Sequence, residues 1–151
     1  MSVTASQALA AVRARLDAGS LAFPLRWQGE DGGALPDTPA TFAFIVFNND
    51  GSGRGPTAYG GGRGANLYRN QAIVEAYVFS PNGEGLAVAM DAAETLAALL
   101  RSYRDSSISC FAADVIPVGE GSKIAPPGLA SEVSNYQCAV AEIALTFDQI
   151  G

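Results

Sequence analysis

Residues 70–104 read NQAIVEAYVFSPNGEGLAVAMDAAETLAALLRSYR, and the folding of this stretch decides the rest. Its first ten residues are rich in Val, Ile, Tyr and Phe, side chains that suit a half-buried pleated surface, so they predict a strand. Ser80-Pro81-Asn82-Gly83 predicts a turn, because proline fixes φ and Asn-Gly tolerates positive φ. Beyond Gly85 a long run of Ala, Leu, Met and Glu continues without Pro or Gly, which predicts a helix by propensity. Leu86, Met90, Ala93, Ala97 and Leu100 recur at three- and four-residue steps and form its expected apolar stripe. Glu84, Asp91 and Glu94 lie towards its start, and Arg101 and Arg104 at its end, as the helix dipole favours.

The flanking segments extend this strand–turn–helix unit. Residues 4–17 predict a short helix, with Thr4 and Gln7 spaced as a capping box. Ala5, Ala8, Leu9, Val12 and Leu16 form its stripe, Arg13 and Arg15 sit near its end, and Gly19 stops it. Residues 19–40 read as irregular. Trp27, the only tryptophan, either pins this loop to the core or anchors a neighbouring subunit. Residues 41–48 (TFAFIVFN) predict a strand apolar on both faces: Ala43, Ile45 and Phe47 on one, Phe42, Phe44 and Val46 on the other. Such a strand is covered on both sides, and two helices cover only one.

Residues 49–69 are dominated by glycine and read as an extended arm between two strands, ordered by contact with a partner. In residues 71–79, Ala72, Val74, Ala76 and Val78 share one small apolar face. Gln71, Ile73, Glu75, Tyr77 and Phe79 share the other. Residues 108–118 and 134–147 predict two more strands, separated by a Gly/Pro-rich loop over 119–131. In the last strand Ala139, Ala141, Ile143, Leu145 and Phe147 alternate with Cys138, Val140, Glu142, Ala144 and Thr146. The expectation is a single α+β domain over residues 1–151, in the order α-β-β-α-β-β. It has a mainly antiparallel four-stranded sheet with both helices on one face.

Composition narrows the function classes. Of 151 residues, 48% are apolar and 16% charged, below the usual ~25% charged. Surface buried in an assembly is a natural reason for the shortage. The net charge of −6 disfavours unspecific nucleic-acid binding. No apolar run approaches the ~18 residues of a membrane span, and MSVTASQ lacks a signal-peptide layout, so the expected setting is a cytoplasm. Cys110 and Cys138 fall in apolar strand-like runs and read as two buried thiols rather than a disulfide.

Catalysis finds little support. There is no histidine, so the commonest general base is missing, and no Cys/His cluster offers a zinc site. Glu75 and Glu142 could form a glycosidase-like carboxylate pair, but they also fit a wet or interfacial sheet face. Asp50 lacks the closing Glu of a calcium loop. The glycines at 51–64 lack the GxxxxGK[ST] of a phosphate loop, and a strand rather than a helix follows them. No enzyme, cofactor or metal is expected. Arg54, Arg63 and Arg69 read as contact residues or solvating charges.

The layout as a whole resembles the tail terminator proteins of long-tailed phages, prophages and gene transfer agents. The likeness rests on the short N-terminal helix, Leu25-Arg26-Trp27-Gln28 with its prolines, and the strand at 41–47. It continues through the arm entering at Arg63-Gly64, the strand 72–79, the turn 80–85, the Ala/Leu helix ending in Leu99-Leu100-Arg101, and two closing strands. The arm is longer and richer in glycine than in the simplest members. The resemblance implies no catalytic residues. It implies a homohexameric ring that caps the tail tube, ends its polymerisation and joins tail to head. Expected partners are then other copies of the chain, the tail tube protein and a head–tail connector or neck protein. DNA would be met only as it passes through the lumen, and no membrane is involved. The expected location is the virion tail or neck, assembled in the bacterial cytoplasm. Trp27, Arg54, Tyr59, Arg63, Tyr68 and Arg69 are the candidate interface residues. Another neck or tail-tube ring protein would meet the same needs. The alternative class is a monomeric ligand-binding domain, with Arg54, Arg63 and Arg69 around an acidic ligand.

Overall fold

The computed structural model describes residues 2–49, 57–121 and 133–151. The elements run α1 (Ala5–Ala18), β1 (Leu25–Trp27), β2 (Phe42–Asn49), β3 (Thr57–Tyr59), β4 (Leu67–Pro81), α2 (Leu86–Leu100), β5 (Ser109–Glu120) and β6 (Tyr136–Ile150). The expected four-stranded, mainly antiparallel sheet is corrected. Five strands lie in the order β1-β2-β4-β6-β5, and β3 adds a short sixth by pairing with β4. The sheet is mixed, because β1 runs parallel to β2, with Leu25 opposite Ala43 and Trp27 opposite Ile45. The three residues of β1, set between Pro24 and Gly29, are too few to show alternation, so β1 read as loop. Backbone bonds to Pro24 O and from Gln28 N lock it beside β2. β3 lay hidden in the glycine-rich arm.

The centre of the sheet is the β4–β6 pair, whose ladder runs from Leu67 opposite Ile150 to Pro81 opposite Tyr136. On one face Ala72, Val74, Ala76 and Val78 adjoin Ala139, Ala141, Ile143 and Leu145, all buried. The alanines and valines among them let both helices settle on that face, in one core with Val12, Leu16, Ala89, Ala93, Leu96 and Leu100. Of the expected α2 stripe, Ala93, Ala97 and Leu100 are buried and Leu86 packs against the core, but Met90 is 36% exposed, and Ala89 and Leu96 complete the buried face instead. It ends at Leu100, so neither Arg101 nor Arg104 lies in its last turn. Helix α1 carries the Thr4/Gln7 capping box. Gly19 caps it at φ −74°, a conformation open to any residue. Its glycine is needed for space, because a Cβ there would collide with Leu99 of α2.

Val78 lies beneath the helices with no exposed surface. Val78→Asp should therefore remove several kcal/mol of stability, a large share of what such a domain has. Urea denaturation with an unchanged midpoint would show that this face of β4 is not the buried one.

Candidate functional site

The face of the sheet away from the helices changes character from end to end. At one end Phe42, Phe79, Val133, Tyr136, Cys138 and Val140 form a second buried cluster, with Leu35 packed against it. Phe42 stacks on Phe79 at 5.0 Å between centroids, and Tyr136 meets both edge-on. The guanidinium of Arg26 lies over the Phe42 ring and donates to Gly33 O and Ala34 O, which ties the 28–41 loop to this cluster. Thus the chain covers part of its own second face.

The cover then thins. The next row across β2, β4, β6 and β5 is Phe44, Tyr77, Val140 and Ile116, in which Val140 is still buried, Phe44 and Tyr77 are half-buried and Ile116 is 43% exposed. The row after it is Val46, Glu75, Glu142 and Asp114. Three carboxylates therefore stand directly opposite one another on adjacent strands, an arrangement that is destabilising by itself. Glu142 and Asp114 are exposed, and Glu75 is half-buried. Glu75 accepts from the Tyr77 hydroxyl at 2.9 Å and from Asn48 Nδ2 at 3.5 Å. Burial, and then that hydrogen bond, push the Tyr77 phenol up to about 12, so it stays a donor at neutral pH. Asp114 was not singled out from sequence. Its place in the row depends on the β5 register, which shifts between Cys110 and Ala113, and no local pattern signals that bulge.

Beyond the row, β4 and β6 outrun their neighbours. The last β2 pairing is at Ala72 and the last β5 pairing at Thr146. Past these points β3, β4 and β6 form a ledge, with Thr57–Tyr59 antiparallel to Leu67–Arg69 and residues 2–3 hydrogen-bonded along β6 at Asp148 and Ile150. Arg69 makes a two-pronged pair with Asp148, both bonds 2.8 Å, and its guanidinium lies 6.0 Å from the Tyr59 ring centroid. Tyr59 and Ile150 are 51% and 44% exposed. Arg63 is exposed in the turn between β3 and β4, and Tyr68 is half-buried within β4. Arg54 lies outside the described residues, as do Asp50 and most of the 119–131 loop.

Trp27 belongs to the chain's own core. It is 7% exposed, with Arg13 above its ring and Arg13 in turn paired to Glu30. This is the loop-pinning role, and it leaves little of the indole for a neighbour. Cys110 and Cys138 are free and buried on opposite faces of the sheet. Burial raises their thiols to about 11 and about 12, so neither is a thiolate nucleophile at neutral pH. Among the described residues no group of three or more Cys, Asp or Glu is placed to hold a metal. No helix among them is long and apolar enough to cross a membrane.

An open polar concavity of about 420 Å³ lies between the ledge and the turn before β5, lined in part by Arg69, Arg104, Asp105, Ser107 and Phe111. It does not gather the arginines of a ligand pocket: Arg63 lies elsewhere, and Arg69 is already neutralised by Asp148. Comparison with protein-family models and with curated proteins finds no match to this chain.

The Arg69 hydrogen bonds hold the Asp148 carboxyl below its ordinary range. A carboxyl depressed in the folded state stabilises above its unfolded value, and that gain fades as pH falls through the folded value. Both partners are partly exposed, so the pair is worth less than about 1 kcal/mol. Asp148→Asn should cost about 0.2–1 kcal/mol at pH 7. Its deficit should close as pH drops below about 4. Urea midpoints measured across that range test this, and a deficit that persists at low pH would refute it.

Proposed function

We propose that this protein is a structural virion component of the tail-terminator kind. It forms a homohexameric ring that caps a tail tube, stops its growth and joins the tail to the head. The observation that carries the reading is the half-covered second face of the sheet. The chain shields one end of it with its own loops, yet leaves Ile116, Glu142 and Asp114 and the ledge residues Tyr59 and Ile150 exposed. A subunit finished by its neighbours would look like this. A cyclic ring requires two different surfaces of each subunit to meet, and the open face and the hairpin ledge are two such surfaces. The low charge content and the absence of an assembled nucleophile–base or metal constellation among the described residues fit a structural role.

The test is electron microscopy of particles from cells in which the gene is disrupted. Tails of uncontrolled length and heads without tails are expected. Normal-length tails joined to heads would overturn the reading. Native mass spectrometry of the purified protein at rising concentration, or on tail tubes, should give six times the subunit mass.

The arm provides a second test. Residues 57–59 pair only with Leu67–Arg69, and those residues keep β6 as a partner on their other side. Deleting residues 52–62 should therefore leave the subunit folded, since halving a loop changes closure entropy by only roughly 0.6 kcal/mol. Circular dichroism should be native-like, while complementation should fail in tail-length control or head joining. Full complementation would show the arm to be dispensable, and an unfolded variant would assign it to the subunit's own core.

A further inference from the structure

We propose that in the assembled ring Arg63 of one copy docks against the carboxylate row Glu75, Glu142 and Asp114 on the open sheet face of the next. The inference rests on the ring reading and names the contact that would build it. The row lies opposed across three strands, which is unfavourable without a counter-charge. Within the subunit no described residue supplies one. Arg69 shares that face, but it is six residues from Glu75 along β4, roughly 20 Å away and beyond the Debye length of about 8–10 Å. Arg69 is also already paired with Asp148.

The other guanidiniums are mostly committed. Arg13 and Arg101 sit in ion pairs. Arg15 and Arg26 donate to carbonyls and lie over aromatic rings. Among the described residues only the Arg63 and Arg104 guanidiniums make no ion pair, hydrogen bond or ring contact. Arg104 lines the concavity beside Asp105. Arg63 stands at the end of the hairpin that overhangs the rest of the sheet. It cannot reach its own row: Leu67, where β4 begins, is eight residues from Glu75, about 26 Å along the strand. A cation on a projecting hairpin and an anionic strip on an open face, too far apart within one copy, are complementary between copies. The occupant is thus a second copy of this chain, meeting the first head to tail.

Charge reversal with rescue tests the pairing. Sedimentation and native mass spectrometry would compare the natural protein with Arg63→Glu, Glu142→Arg and the double variant, each checked for native-like melting. Each single change should weaken apparent association at least about tenfold, because like charges then meet. The double variant should recover most of it. Arg63→Lys keeps the charge and allows zero-length carbodiimide coupling. In a mixture of isotopically light and heavy subunits, the coupled peptide should join position 63 of one copy to Glu75, Glu142 or Asp114 of another. If the natural protein assembles and Arg63→Glu assembles equally well, the pairing is refuted and the ring reading stands. The pairing also fails, and the ring again stands, if the double variant is no better than the singles or if coupling occurs only elsewhere. A natural protein that stays monomeric at every concentration and on tail tubes refutes both.

Discussion

Everything in this fold depends on the fifteen-residue ladder between β4 and β6. A strand of that length is about 50 Å long, whereas a fifteen-residue helix such as α2 spans only about 22 Å. Helices of this size cannot cover the ladder from end to end. The sequence places alanine and valine where they do cover it. Ala72, Ala76, Ala139 and Ala141 face Ala89, Ala93 and Ala97 in one buried core. Small residues on both sides allow close approach, and Leu16, Ile45, Leu96, Leu100, Ile143 and Leu145 fill the same core around them. The overhang at the far end is the geometric remainder of that mismatch, and it becomes the hairpin ledge.

The large side chains of the central strands therefore collect on the other face. Phe42, Phe79 and Tyr136 build a compact aromatic cluster there, closed by Leu35 and Val133. Arg26 stitches the 28–41 loop over it. That loop is the crossover between the parallel strands β1 and β2, a connection usually made by a helix. Here it serves as partial cover. The remainder of the face carries Ile116 and the carboxylate row, and Tyr77 orients Glu75 by donating to it.

Long alternations were legible in the sequence. The two-residue period separated the small face of β4 from its mixed face, and the faces of β6 likewise, and burial follows both. The capping box at Thr4 was readable because its partners lie three residues apart. What escaped depended on non-local partners. β1 is three residues long and exists only because β2 lies beside it. β3 has little local strand signal among its glycines. In α2 the stripe through Ala93, Ala97 and Leu100 was legible, but Ala, Leu and Met surround the helix on every side, so Met90 was taken in where Ala89 and Leu96 are buried. Gly19 was legible as the end of α1, and it is the C-cap, but that its missing side chain makes room for Leu99, eighty residues away, was not. The interface candidates were separated by the same logic: Tyr59, Arg63 and Arg69 sit on the ledge, while tertiary packing draws Trp27 into the core.

In the proposed ring the acidic row would also constrain how copies meet. Two subunits joined about a twofold axis through their open faces would present the same patch to itself. Glu75, Glu142 and Asp114 would then face another set of carboxylates in a partly desolvated gap, and such like-charge contacts cost several kcal/mol. A back-to-back dimer through this face is therefore disfavoured by the feature that most needs a partner. The face is better met by a surface of different chemistry, and a contact between unlike surfaces propagates from copy to copy. It ends either in an open filament or, where the rotation between neighbours divides a full turn, in a closed ring. Because the ledge overhangs the sheet while the row lies in mid-face, each copy can give and receive the same contact at once, as closure requires.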